Sequence, residues 1–151
     1  MDHIERQKEL LEAIGFVVPG NVYKIHYTVL QFGYAGSPTH FTTNVTEKLE
    51  NIEALTVIPI STKRKKTKNI VSLNLSKDSN LEPLEEEILD LDSFALVGLP
   101  KQIKVEKLFE EPATHMRGVL REGKRNEILA ARKKHIQSQF HRQGGLNDHT
   151  P

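Results

Sequence analysis

Leu55-Thr56-Val57-Ile58-Pro59-Ile60-Ser61-Thr62-Lys63 is the stretch on which the reading of this chain turns. It is a run of branched and apolar residues of strand length. It stops on paired hydroxyls and passes directly into Arg64-Lys65-Lys66-Thr67-Lys68. A strand this apolar is anchored in a core, so the hydroxyls and cations at its end are held in place rather than carried on a loose tail. That is a way to build a phosphate site.

Other short segments carry the same signature. Val22 to Phe32, His40 to Val45, Ile70 to Leu75, Phe94 to Val97 and Ile103 to Leu108 are rich in strand-forming residues and bounded by turn or charge signals. With no helix between most of them, they predict a small antiparallel barrel or tightly coiled sheet rather than parallel strands joined by helices. Before them, Ile4, Leu10, Leu11 and Ile14 share one helical face between a possible Asp2 cap and Gly15, which predicts an N-terminal helix within residues 1–19. After them, Val119, Leu120, Ile128, Leu129, Ala131, Ile136 and Phe140 fit a basic amphipathic helix. The expected organisation is a barrel over 20–110, a helical extension over 111–142 and a disordered tail over 143–151. The fold class is mostly β (α+β).

A chain of 151 residues, 37% hydrophobic and 27% charged, accommodates one domain with a real core. It has no cysteine, which removes disulfides, thiolate metal sites and cysteine nucleophiles together. No apolar run approaches the length of a membrane span, and the opening residues lack the basic and apolar regions of a signal peptide, so a cytoplasmic location without membrane contact is expected. The net charge of +1 hides a segregation. Acids dominate from Ser76 to Glu111 and bases from Arg117 to Arg142, through Arg117, Arg121, Lys124, Arg125, Arg132, Lys133, Lys134 and Arg142. Such asymmetry reads as a basic face for nucleic acid, or as a basic helix packed on its own acidic segment.

The histidines do not fall at zinc-protease spacing and Glu85-Glu86-Glu87 lacks the pattern of a calcium loop, so neither a metal nor another cofactor is expected. Of the aromatic residues, Tyr34 between Gly33 and Ala35 is the best placed to stack on an unpaired base. Tyr23, Tyr27, Phe32 and Phe41 are expected to fill the barrel.

Gly20-Asn21-Val22-Tyr23, the loop at Gly36-Ser37-Pro38, His40-Phe41, the strand ending in Pro59-Ile60-Ser61-Thr62, Ser93-Phe94-Ala95 and Gln102-Ile103-Lys104-Val105 are similar in order and spacing to the PemK/MazF toxins of bacterial toxin-antitoxin systems. The resemblance spans roughly Gly20 to Leu108. It implies an SH3-like barrel, usually a homodimer, that cuts single-stranded RNA without a metal and is blocked by an antitoxin protein. The family's catalytic threonine maps onto Ser61, followed by Thr62. Where the family commonly carries an arginine before the loop proline, this chain has Ser37, and His40 is the natural replacement.

Cleavage of this kind needs a base for the 2′-hydroxyl proton, a proton for the departing 5′ oxygen, and donors or cations for the remaining phosphate oxygens. Histidine, hydroxyl and lysine or arginine are sufficient parts. His40, Ser61 and Thr62 are therefore the catalytic candidates. Tyr34, Ser37, Lys63, Arg64, Lys65, Lys66 and Lys68 are the candidate RNA contacts. Two alternatives stand beside this expectation: a barrel of the same fold that binds RNA or a protein without cutting, and a module whose acidic and basic segments serve protein assembly alone.

Overall fold

The structure is a computed structural model that describes residues 19–32, 38–47, 54–67, 69–82, 89–108 and 114–148, with side chains as far as residue 140. The expected N-terminal helix, and the candidate residues Tyr34, Ser37 and Lys68, lie outside the described residues. Among the described residues there are eight strands: β1 (Asn21–His26), β2 (Thr39–Asn44), β3 (Ala54–Ser61), β4 (Ile70–Asn74), β5 (Ser79–Leu81), β6 (Asp92–Leu96), β7 (Lys101–Lys104) and β8 (Thr114–Leu120). Single helical turns follow β1, β4 and β7 at Tyr27–Leu30, Leu75–Asp78 and Val105–Leu108, and one long helix, α1 (Glu122–Asp148), ends the described chain. No helix among these residues is long and apolar enough to cross a membrane.

The apolar run from Leu55 to Ser61 forms β3, which lies at the heart of the antiparallel sheet. One edge pairs with β2; the other pairs with β7 along Ala54–Val57 and with β6 along Ile60 and Ser61. Pro59, which has no N–H to give, falls between those two pairings, where an interruption is cheapest. Leu55 and Val57 belong to the core on one face of the sheet, Ile58 and Ile60 to that on the other. A strand covered on both faces has an unbroken apolar run instead of alternation.

The strand order is β4-β6-β3-β2-β1-β8-β5, with β7 beside β3. The two end strands, β4 and β5, are joined by only the four residues Leu75–Asp78. Laid flat, those edges would stand about 29 Å apart, whereas a four-residue helical turn advances about 6 Å. The sheet therefore has to curl into a half-barrel. Asn74 builds the corner: its Oδ1 accepts from the Ser76 N–H at 3.1 Å, its Nδ2 donates to the Asp90 carbonyl at 2.8 Å, and its own N–H donates to Asp78 Oδ2 at 2.7 Å.

One face of the sheet buries Val22, Ile58, Ile60, Leu73, Ala95 and Leu120, closed by Ile128 from α1. The other buries Tyr23, Ile25, Leu55, Val57 and Ile103, capped by Leu30 and Leu108 from two of the helical turns.

Three expectations need correction. Residues 114–120 are a strand and not the start of the C-terminal helix, which begins at Glu122. The reason is Gly118, where a Cβ would come within 1.8 Å of the Asn80 carbonyl oxygen; only glycine lets β5 pair this closely with β8. A bulge opposite Val22 and Tyr23 leaves Arg117 as the extra residue, with its guanidinium donating to the Glu82 carbonyl. Second, Val22 to Phe32 is not one strand: β1 stops at His26, whose Nδ1 accepts from the Thr28 N–H, and the helical turn ends at Gln31 with φ +55°. Ile103 to Leu108 breaks into strand and turn in the same way. Third, α1 continues to Asp148, beyond the expected start of a disordered tail at Gln143. Gly144 and Gly145 cost a helix about 1 kcal/mol each relative to alanine, but they keep its backbone hydrogen bonds, and the next proline is Pro151.

Candidate functional site

His40 sits on β2 opposite Ile25 of β1, and Thr42, two residues on, pairs with Pro59 of β3. The pairing of β2 with β3 runs from Asn44 and Val57 to Thr42 and Pro59, two residues short of His40 and Ser61, and beyond it Ile60 and Ser61 pair with β6. His40 and Ser61, 21 apart in the chain, each lie two residues beyond that last pair, on the face that Thr42 and Pro59 share.

Ser61 ends β3 with its hydroxyl turned back on the backbone. Its Oγ accepts the Lys63 N–H at 3.1 Å, a serine turn that starts the basic loop and leaves the Oγ–H free to act as a donor. Thr62, Lys63, Arg64, Lys65 and Lys66 are all exposed. The loop folds back far enough for its charge to act on the histidine. Burial first, and the Lys65 ammonium second, hold the His40 imidazole below its ordinary titration range, so it is neutral at neutral pH.

Phe32 joins the two. Its ring meets the His40 ring edge-on, with centroids 5.4 Å apart, and the Lys65 Nζ lies 5.7 Å from the Phe32 centroid. Half-buried Phe32 was expected as barrel filling, yet its ring contacts both the His40 imidazole and the Lys65 ammonium. No local signal marks it, since the contact depends on the loop's return. His40 Nε2 is buried and has no hydrogen-bond partner. On the opposite face of the same strands, Lys24 lies 5.3 Å from the Phe41 ring centroid. The Tyr27 N–H donates to the Pro38 carbonyl at 2.9 Å, drawing together the ends of the segment that contains Tyr34 and Ser37.

The second basic cluster is differently engaged. Arg121 Nε donates to the Lys77 carbonyl at 2.8 Å and Lys124 Nζ to the Ser72 carbonyl at 2.7 Å, and the Arg125 side chain packs over Gly20. With Arg117 on Glu82, these cations tie β8 and α1 to β4, the corner and β5. At least this part of the basic segment is packed on the start of the acidic one. Further along α1, Asn69 Nδ2 donates to His135 Nδ1 at 2.8 Å, fixing the far end of the basic loop to the helix. Among the described residues, no three histidine or carboxylate side chains converge as metal ligands would. No protein-family model matches the chain, and no curated protein matches it.

Proposed function

We propose that this chain is a toxin-like endoribonuclease, of the PemK/MazF kind, that cleaves single-stranded RNA through attack by the 2′-hydroxyl without a metal. The observation that supports this reading is the approach of Lys65 and His40 about Phe32, with Ser61 at the end of the strand that leads into the Lys65 loop. In the proposed reaction the neutral imidazole of His40 takes the 2′-hydroxyl proton as O2′ attacks phosphorus. The P–O5′ bond breaks, leaving a 2′,3′-cyclic phosphate, and the departing 5′ oxygen takes a proton from solvent. The Ser61 Oγ–H and the Lys65 ammonium stabilise the non-bridging oxygens as charge builds on them. Thr62 and the cations of Lys63, Arg64, Lys66 and Lys68, with Tyr34 and Ser37, hold the strand. The SH3-like form of the barrel, a homodimer, an inhibiting antitoxin protein and a cytoplasmic location belong to the same proposal.

A second reading, an RNA-binding barrel that does not cut, is favoured by the buried Nε2 of His40 and by Ser37 standing where the resemblance calls for an arginine. Incubation with a long single-stranded RNA, with and without a chelator, separates the two. The nuclease leaves chelator-resistant 5′-hydroxyl ends, and His40→Ala abolishes cutting while RNA affinity persists. RNA bound but intact selects the second reading, and RNA neither bound nor cut overturns both.

A further inference from the structure

Phe32 belongs to the core and to the candidate site at once. It packs against the cluster of Tyr23, Ile25, Leu30 and Leu55. The backbone that delivers it is pinned as well: the Gln31 N–H donates to the Tyr27 carbonyl at 2.8 Å, and Gln31 lies in the left-handed region at φ +55°. Residues other than glycine adopt that region in few places, so the turn fixes where the chain leaves it. The anchored ring then meets two groups carried by other segments. Its plane stands at 80° to that of the His40 ring, with centroids 5.4 Å apart, and the Lys65 Nζ lies over it, 5.7 Å from the centroid.

These two contacts differ in what they fix. The imidazole is on β2 and half-buried, so the strand already places it. Lys65 is exposed, in the loop after β3, and its ammonium is a hydrated charge at the end of a flexible four-carbon stem. Left to solvent, that charge would be spread over many positions. The negative face of an aromatic ring attracts an ammonium within about 6 Å, and an edge-to-face contact is an arrangement that aromatic pairs favour. One ring therefore suits both partners, and its anchor in the core gives the charge a fixed place.

We propose that Phe32 is a positioning residue: its ring holds the Lys65 ammonium where that charge acts on His40 and, in the proposed cleavage, on the phosphate beside it. The part concerning the phosphate rests on the RNA reading above; the hold on Lys65 stands without it. The lowered titration of His40, with burial as its first cause and Lys65 as its second, agrees with this placement.

The test keeps the ring and removes its attraction for a cation. Pentafluorophenylalanine in place of Phe32, in the full chain, preserves the burial of His40 and reverses the charge of the ring face. A contact with an exposed ammonium biases the loop by about two- to fivefold. The His40 titration, followed by NMR, should therefore rise on fluorination, and Lys65→Gln should raise it in the wild-type protein but add little in the fluorinated one. A full Lys65→Gln shift in the fluorinated protein, or no shift on fluorination, overturns the proposal. Phe32→Leu gives the same cycle should the fluorinated chain not fold, because the quantity compared is again the increment from Lys65→Gln. None of these measurements uses RNA, so they can fail while the RNA reading holds, and the reverse. Where RNA is cut, the acid limb of the pH–rate profile should move with the His40 titration; a limb that stays in place overturns the part of Phe32 in the reaction.

Discussion

Two basic clusters in this chain have similar composition and opposite physics. Lys63 to Lys66 follow a strand that is buried on both faces, and their side chains are exposed, with Lys65 lying over an aromatic ring and acting on a histidine. Arg117, Arg121 and Lys124 point at main-chain carbonyls of Glu82, Lys77 and Ser72, and so hold the corner, β5 and α1 together. A run of positive charge in a sequence does not say which of these it is. What decides is whether unsatisfied carbonyls lie within reach, and that depends on the path of the sheet.

Substitutions in each cluster test the difference between them. The largest effect is expected on the structural side, at Gly118→Ala: a methyl placed 1.8 Å from the Asn80 oxygen forces β5 from β8 and costs on the order of 3 kcal/mol or more, read by chemical denaturation. Stability unchanged by that substitution means β5 does not lie where it is described. A smaller effect belongs to the cations. Arg121→Gln with Lys124→Gln removes two side-chain bonds to carbonyls, each worth about 1 kcal/mol, and should lower the melting temperature by several degrees without changing RNA affinity.

The smallest effect is in the titration of His40. Its folded pKa is depressed, so below the ordinary value near 6.5 the unfolded chain binds a proton that the folded chain resists. Stability therefore falls as pH drops through 6.5 towards the folded value, and His40→Gln should flatten that dependence. Lys65→Gln should move the His40 titration upward, followed by NMR of the imidazole, whereas Arg121→Gln should leave it in place. An unmoved titration in Lys65→Gln would show that the loop does not return to the histidine.

Much of this was legible in the sequence, for reasons that can be named. β3 was readable because a strand covered on both faces has a local apolar signature, and β2 and β4 because their ends carry turn signals. β8 was not. Gly118 and Arg117 look like a weak helix start, and their true reasons, a close approach by β5 and a bulge against β1, are properties of strands far away in the chain. The same holds at the site. His40 and Ser61 are candidates on chemistry and resemblance, and the β2–β3 register that runs towards them depends on pairing. Phe32 was missed because its partners, His40 and Lys65, come to it from other segments.

On the proposed reading, the loop after β3, and not the β8 and α1 cluster, carries the charge that meets RNA. Affinity for a single-stranded RNA measured across a salt series tests it, with Lys63, Arg64, Lys65 and Lys66 changed together to glutamine in one protein and Arg121 and Lys124 in another. The loop variant should lose most of its affinity, and its salt slope should fall by up to about 0.7 for each charge removed, while the helix variant keeps both. An unchanged slope in the loop variant, or an equal loss in the helix variant, contradicts the account.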